Sequence, residues 1–215
     1  MKINTNHPIA INSPDHLYPW GTKADNSTDA RFIEEVELYF NNKKISFLDI
    51  GCSGGQLVVD FHNRGHLSIG IEGSNYSVIH QRANWPAYHN NILFTCDATH
   101  PYTILDDTDN KILFDCITAW EVVEHIAPNE LDMFFTNILN HMHDTSIFIG
   151  SISLVNDFHD GNGTFGKKVE LHQSVFTEKT WMEEILPRYF NIEKYPFSAK
   201  VRPEPTSFFV KLLKK

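Results

Sequence analysis

From residue 45 onward, short apolar runs alternate with segments of helical periodicity, and no other feature limits the possible folds as much. The runs are ISFLDI (45–50), LSIGIE (67–72), ILFTCD (92–97), FDCITAW (114–120) and SIFIGSI (146–152). Each is apolar along most of its length, which suits strands covered on both faces rather than strands half in water. Strands separated by helices meet that need as a mostly parallel sheet between two helical layers. The segment after Pro128 supplies one such helix, because Leu131, Phe134, Phe135, Ile138, Leu139 and Met142 recur at i, i+3, i+4, i+7, i+8 and i+11. That stripe reads as core. A second helix is expected over residues 29–40, with Phe32, Ile33, Val36 and Tyr39 on one face and Ser27 or Thr28 as its cap. A third opens at Thr177, carries Trp181, Met182, Ile185 and Leu186, and stops at Pro187. NIEKYPF and SFFVKLL then read as two final antiparallel strands.

The chain of 215 residues is long enough for one substantial core and short for two. Residues 1–27 carry Pro8, Pro14, Pro19 and Gly21 and read as an irregular arm, leaving 28–215 as the domain. No apolar run reaches membrane-spanning length and the start lacks a signal-peptide core, so a cytoplasmic protein is expected. Cys52, Cys96 and Cys116 lack zinc-site spacing and read as reduced thiols. A net charge of -9 with dispersed basic residues excludes a nucleic-acid footprint. His141-Met142-His143, placed on a helix, would not share a face, so these histidines read as solvated and no metal is expected.

The first strand runs into a glycine-rich turn, FLDIGCSGGQ (47–56). In open parallel sheets ligands sit beyond the carboxyl ends of the strands, so the residues at those ends are the candidates. Gly51, Gly54 and Gly55 let the backbone bend and approach a ligand before a helix starting near Gln56. Glu72 ends the next strand, 23 residues after Asp49, where a carboxylate can accept from both hydroxyls of a ribose. Asp97 follows the third run, and Glu121, Glu124 and His125 follow the fourth. A nicotinamide dehydrogenase fits less well, because its G-x-G-x-x-G register does not match these glycines and leaves Asp49 without a role.

LDIGCSGG, IGIEGS, CDAT and AWEVVEHI, in this order and spacing, resemble the successive motifs of the class I S-adenosylmethionine-dependent methyltransferases, the small-molecule and glycan type above all. The resemblance covers residues 45–155 well. It implies a Rossmann-like three-layer α/β sandwich whose seven-stranded sheet is mostly parallel with an antiparallel last strand. It also implies S-adenosyl-L-methionine as cofactor, with Asp49 and Gly51 beside the methionine part and Gly55 allowing close approach. Glu72, followed by Gly73, would hold the ribose, Asp97 and Ala98 the adenine, and Trp120 and Glu121 the floor beneath the methyl. Ser53 stands where that family more often has glycine, so it restricts the turn or adds a hydroxyl contact.

The implied reaction is methyl transfer to a small-molecule or saccharide-like acceptor, with oxygen favoured over nitrogen. A protein acceptor, or a cofactor-binding partner or sensor without activity, is the alternative. His125 and His172 are the candidate general bases for a hydroxyl acceptor. Each has a plainer reading: Glu124 and His125 cap and orient the loop before Pro128, and His172 makes a structural hydrogen bond. Trp20 either folds over the cofactor, with Thr22 or Lys23 at the methionine carboxylate, or plugs an apolar groove. Phe158, His159, Asp160 and Phe165, in a long glycine-bearing loop, are candidate acceptor contacts. Oligomeric state is not legible.

Overall fold

The computed structural model of the chain describes residues 1–159, 168–201 and 206–215. The N-terminal arm is more ordered than its prolines suggest. Strand β1 (Lys2–Thr5) is followed by the short helices α1 (Pro14–Leu17) and α2 (Trp20–Ala24). Pro14 sits at the first helical position, where a missing N–H costs nothing, and Ser13 caps it. Helix α3 (Ala30–Tyr39) buries Phe32, Ile33 and Val36 as the spacing requires. Its cap is Asp29, whose carboxylate accepts from the Arg31 N–H; Thr28 instead donates to Asp60 and Ser27 to Asp25.

The central sheet begins with β2 (Ser46–Ile50), followed by α4 (Gln56–Asn63) and β3 (Leu67–Glu72). The short helices α5 (Tyr76–Ile79) and α6 (Trp85–Tyr88) lead to β4 (Leu93–Thr95). Strand β5 (Tyr102–Leu105) leaves the sheet and pairs antiparallel with β1, which ties the arm down. Then come β6 (Phe114–Trp120), α7 (Leu131–Asn140) and β7 (Met142–Ser153), so Met142 opens a strand rather than closing the helix. Two-residue strands β8 (Phe158–His159) and β9 (Val169–Glu170) pair across the long loop. The expected helix after Thr177 is three short pieces. One α-turn, α8 (Glu178–Thr180), passes into a wide π-turn over Trp181–Ile185 and a tight 3-10 turn over Leu186–Arg188. Pro187 cannot extend a regular helix, and the wide turn lets Trp181 and Ile185 both reach the core.

Strands β10 (Phe190–Glu193) and β11 (Ser207–Lys214) complete a seven-stranded sheet in the order β10-β11-β7-β6-β2-β3-β4. β11 runs antiparallel to both neighbours and the others are parallel to one another. One core lies under α7 around Phe134, Phe135, Ile138 and Trp181; the other, around Phe32, Phe47, Phe61 and Val58, lies under α3 and α4. The strand order turns back at β2, between β3 and β6, so the glycine turn leaves the sheet where a crevice must open.

His141 corrects the expectation of a solvated pair. It is fully buried at the end of α7, and its Nδ1 donates to the Asn137 carbonyl (2.8 Å). Its Nε2 accepts from the Ile104 N–H (3.2 Å), and its ring stacks on Tyr102. Burial, with Lys111 adding repulsion against one backbone hydrogen bond, lowers its pKa from 6.5 to about 4. The folded protein therefore refuses a proton that the unfolded chain accepts, and stability falls as pH drops from about 6.5 to about 4. The loss from this group alone is about 3 kcal/mol. Denaturant titrations at pH 7, 5.5 and 4.5 should show this slope, flattened in His141→Gln; equal slopes in both proteins would refute the assignment.

Candidate active site

A cleft of about 960 Å³ opens over the carboxyl ends of β2, β3, β4 and β6, large enough for a nucleoside-sized ligand. Its floor is the glycine turn. Gly51 takes φ +74°, and a Cβ there would lie 2.4 Å from a Val122 methyl, so the turn both needs and uses glycine. The Gly51 and Cys52 N–H groups donate to the Ile71 carbonyl at 2.8 and 3.1 Å, which folds the turn back over β3. The buried Glu72 carboxylate accepts from the N–H groups of Ser53 (2.9 Å) and Ser74 (3.0 Å). Each oxygen keeps acceptor capacity for a ligand hydroxyl. Burial raises the Glu72 pKa, and the two amide hydrogen bonds oppose that rise.

Ser53 answers the question its departure raised. At φ +47° it does not block the turn, and its hydroxyl donates to the Asp25 carbonyl (2.8 Å). The Arg82 guanidinium donates to both that hydroxyl (2.9 Å) and the same carbonyl (2.6 Å), and the Trp85 indole donates to the Ser53 carbonyl (2.6 Å). Ser53 is thus the clasp between arm and turn. Arg82 and Trp85 escaped sequence reasoning because they lie in a segment without motif or periodicity.

At the β4 end, the Asp97 carboxylate accepts from the Thr99 N–H (2.9 Å) and hydroxyl, and lies 3.0 Å from the His100 ring. The Asp97 N–H donates to the His7 carbonyl (3.0 Å), and His7 stacks on His100 at 3.8 Å. The Ala10 N–H donates to the Gly73 carbonyl (2.9 Å). Residues 7–10 therefore cross the ends of β3 and β4, and the arm forms a wall of the cleft. Trp20 lines this cleft at 60% exposure, which rules out the groove-plug reading. Its ring and that of Tyr18 meet the ring of His159, although neither Tyr18 nor His159 lines the cleft.

The cleft gathers Trp20, Gly51, Ser53, Glu72, Gly73, Asp97, Ala98, Glu121, His125 and His172, all expected from the sequence, together with Thr22. Three residues expected from the glycine turn and the strand ends lie off it. The Asp49 carboxylate turns into the sheet and accepts from the Thr118 hydroxyl (2.6 Å). Gly55, at φ +83°, starts α4, and its missing side chain makes room for Leu93. Trp120 points to the opposite face and packs edge-on against Phe32 (5.1 Å), because side chains alternate along β6 and Glu121 takes the cleft side. Lys23 is exposed outside the cleft. Phe158 is 45% exposed on β8, and Asp160 and Phe165 lie outside the described residues.

The end of the cleft beyond β6 is more unusual. A single 3-10 turn, Val123–His125, follows Glu121, and the Glu124 carbonyl accepts from the N–H groups of Gln173 (2.7 Å) and Ser174 (2.8 Å). That clasp brings His172 against His125, with ring centroids 4.6 Å apart. The His125 Nδ1 lies 2.7 Å from an Asp15 carboxylate oxygen, a close ion pair whose alignment falls outside hydrogen-bond geometry. Burial lowers the His125 pKa, but Asp15, together with Glu124 and the Leu171 backbone, raises it and the net shift is upward. The His172 Nδ1 donates to the Val155 carbonyl (2.6 Å), and burial, followed by repulsion from His125, lowers its pKa. Asp15 was missed by sequence reasoning, since an acid in a proline-rich arm carries no signal until the arm is placed.

Known proteins share the chain's motifs and its fold. A ubiquinone biosynthesis O-methyltransferase of Rickettsia typhi is 26% identical over 125 residues, covering 58% of this chain and 47% of the relative. The chain thus spans about half the length of such curated relatives. The crystal structure of the PH0226 protein from Pyrococcus horikoshii OT3 superposes with a TM-score of 0.55 at 16% identity, covering 98% of this chain and 96% of that one. The glycopeptide N-methyltransferase MtfA in complex with S-adenosyl-L-methionine gives a TM-score of 0.56 at 10% identity, covering 86% and 93%. These two likenesses carry the fold. The family described as "Methyltransferase domain" matches residues 25–191, most of the chain, and the protein belongs to that family, the class I S-adenosylmethionine-dependent methyltransferases.

Proposed function

We propose that the protein transfers a methyl group from S-adenosylmethionine to a hydroxyl of a small-molecule acceptor, saccharide-like compounds included. One observation carries the reading: Asp15, Glu72, Asp97, Glu121, Glu130 and Asp157 line the cleft, and among the described residues no Lys or Arg does. Such a cleft favours a cationic ligand and repels a pyrophosphate, which separates a sulfonium nucleoside from a dinucleotide. Within it, Glu72 would hold the ribose hydroxyls and the Asp97 segment the adenine edge. The Gly51 turn leaves room for the methionine portion. The cofactor supplies an activated methyl group; the chain's task is to align an acceptor with it and keep water away.

Residues 1–27 serve in this reading as a wall and lid, and 28–215 as the catalytic domain. Trp20 would cover the mouth, with its ring against His159. The oxygen preference rests on the curated relatives, whose name specifies O-methylation. Of the two histidines, His125 has its Nδ1 against the Asp15 carboxylate, which favours the protonated ring and suits it less to the role of base. His172 keeps a lone pair at Nε2 because its Nδ1 is committed to the Val155 carbonyl. Among the described residues no helix is long and apolar enough to cross a membrane.

Calorimetric titration with S-adenosylhomocysteine should show one site, and a panel of hydroxylated acceptors should release that product from S-adenosylmethionine. Binding without turnover on any acceptor would favour the sensor alternative. No binding at all would remove the proposal.

A further inference from the structure

Glu124 has no role in the reading above, yet it is fully buried at the acceptor end of the cleft, and neither carboxylate oxygen has a hydrogen-bond partner among the described residues. The backbone amides of Glu124 and Ser153 approach it outside hydrogen-bond geometry. A buried carboxylate is ordinarily paired, because leaving it unpaired forfeits its hydration without return. Its ligand atom, one from His125 and one from His172 all lie within 4.8 Å of one another. Glu121 stands beside them with its Oε1 also buried and unpartnered, while its Oε2 accepts from the Ser207 hydroxyl (2.7 Å).

We propose that Glu124, His125 and His172 bind a divalent first-row transition-metal cation, which presents an open coordination position to the acceptor hydroxyl. Two imidazoles and a carboxylate suit Mn²⁺, Fe²⁺, Co²⁺ or Zn²⁺ and leave positions free for a ligand oxygen. The outer contacts match what such sites require. The Val155 carbonyl fixes the His172 tautomer with Nε2 unprotonated, and Asp15 stands against the His125 Nδ1, as carboxylates do behind ligating histidines, so that the cation binds at His125 Nε2 and any proton there leaves to solvent. The Glu124 carbonyl, holding residues 173 and 174, sets the spacing between its own side chain and His172.

The cation would draw down the pKa of a bound hydroxyl, whose proton leaves to solvent through the cleft mouth. This role at the acceptor rests on the methyltransferase reading; the binding of the cation does not.

The test therefore measures metal and nucleoside binding separately. The full chain, freed of metal by chelation and dialysis, is titrated with Co²⁺ and followed by visible absorption and thermal melting, and with Mn²⁺ followed by electron paramagnetic resonance. We expect one equivalent bound, a visible Co²⁺ spectrum and a melting temperature raised by several degrees. Glu124→Gln and His172→Gln should each weaken binding at least 100-fold while S-adenosylhomocysteine affinity changes less than threefold. Asp144→Asn, an exposed acid elsewhere, should match the parent. His172→Gln keeps the test open if Glu124→Gln fails to fold. No binding below 1 mM, or equal binding by the parent and a folded variant, would overturn the proposal, even if S-adenosylhomocysteine still binds. Loss of nucleoside binding in the parent with Co²⁺ binding intact would instead remove the methyltransferase reading.

Discussion

Glu72→Ala should weaken S-adenosylhomocysteine binding by at least 100-fold in calorimetric titration. Two losses combine. The ribose hydroxyls lose their charged acceptor, and a hydrogen bond to a charged group contributes roughly 1.5–3 kcal/mol. The N–H groups of Ser53 and Ser74, which now donate to that carboxylate at 2.9 and 3.0 Å, lose their partner and the turn loosens. Glu72→Gln separates the two. One amide oxygen still accepts from an N–H group, but the NH₂ end faces a donor, so an intermediate loss is expected. If Glu72→Ala binds within threefold of the parent while remaining folded, the ribose assignment is wrong.

Removal of residues 1–26 should cost a similar or larger factor in affinity and lower the melting temperature as well. The deletion strips the β1–β5 pairing, the Asp25 carbonyl that Ser53 and Arg82 hold, and the cleft wall from His7 to Thr22. Loss of stability and loss of affinity would then be mixed, so Trp20→Ala is the informative companion. Trp20 is 60% exposed and contributes little to packing, hence the melting temperature should move by less than about 2 °C. Affinity for S-adenosylhomocysteine should nonetheless drop about tenfold, as expected of an aromatic that covers a bound nucleoside. An unchanged affinity in both variants would exclude the lid.

The acid lability at His141 and the metal titration probe regions where local sequence was a poor guide for opposite reasons. His141 looked like part of a polar surface pair because two histidines flank a methionine. Its burial follows from the chain turning at the end of α7 and re-entering the sheet as β7, so that Tyr102 and Ile104 cover it. Glu124 looked like a loop residue between two better candidates. Only the return of residues 171–174 onto the Val123–His125 turn encloses it.

The arm shows the same limit. Proline and glycine mark where regular structure is interrupted, and α1 and α2 are indeed single turns. Those residues do not say what the interruptions rest on. β1 finds its partner about a hundred residues away in β5, a pairing that no local pattern encodes.

What the sequence by itself determined is the sheet, its helical layers and the positions of the acids at the strand ends. Periodicity and apolar runs dictate which segments must be buried on two faces, and chain order then leaves few arrangements. Tertiary structure alone decided which of those residues face the cleft. Asp49 and Trp120 turned inward while Glu72 and Glu121 turned outward. It also decided that Ser53 fastens the arm, and that Glu124, His125 and His172 meet at one point. The physical reason is that side-chain direction at a strand end, and contacts between segments far apart in the chain, depend on packing partners that sequence spacing does not reveal.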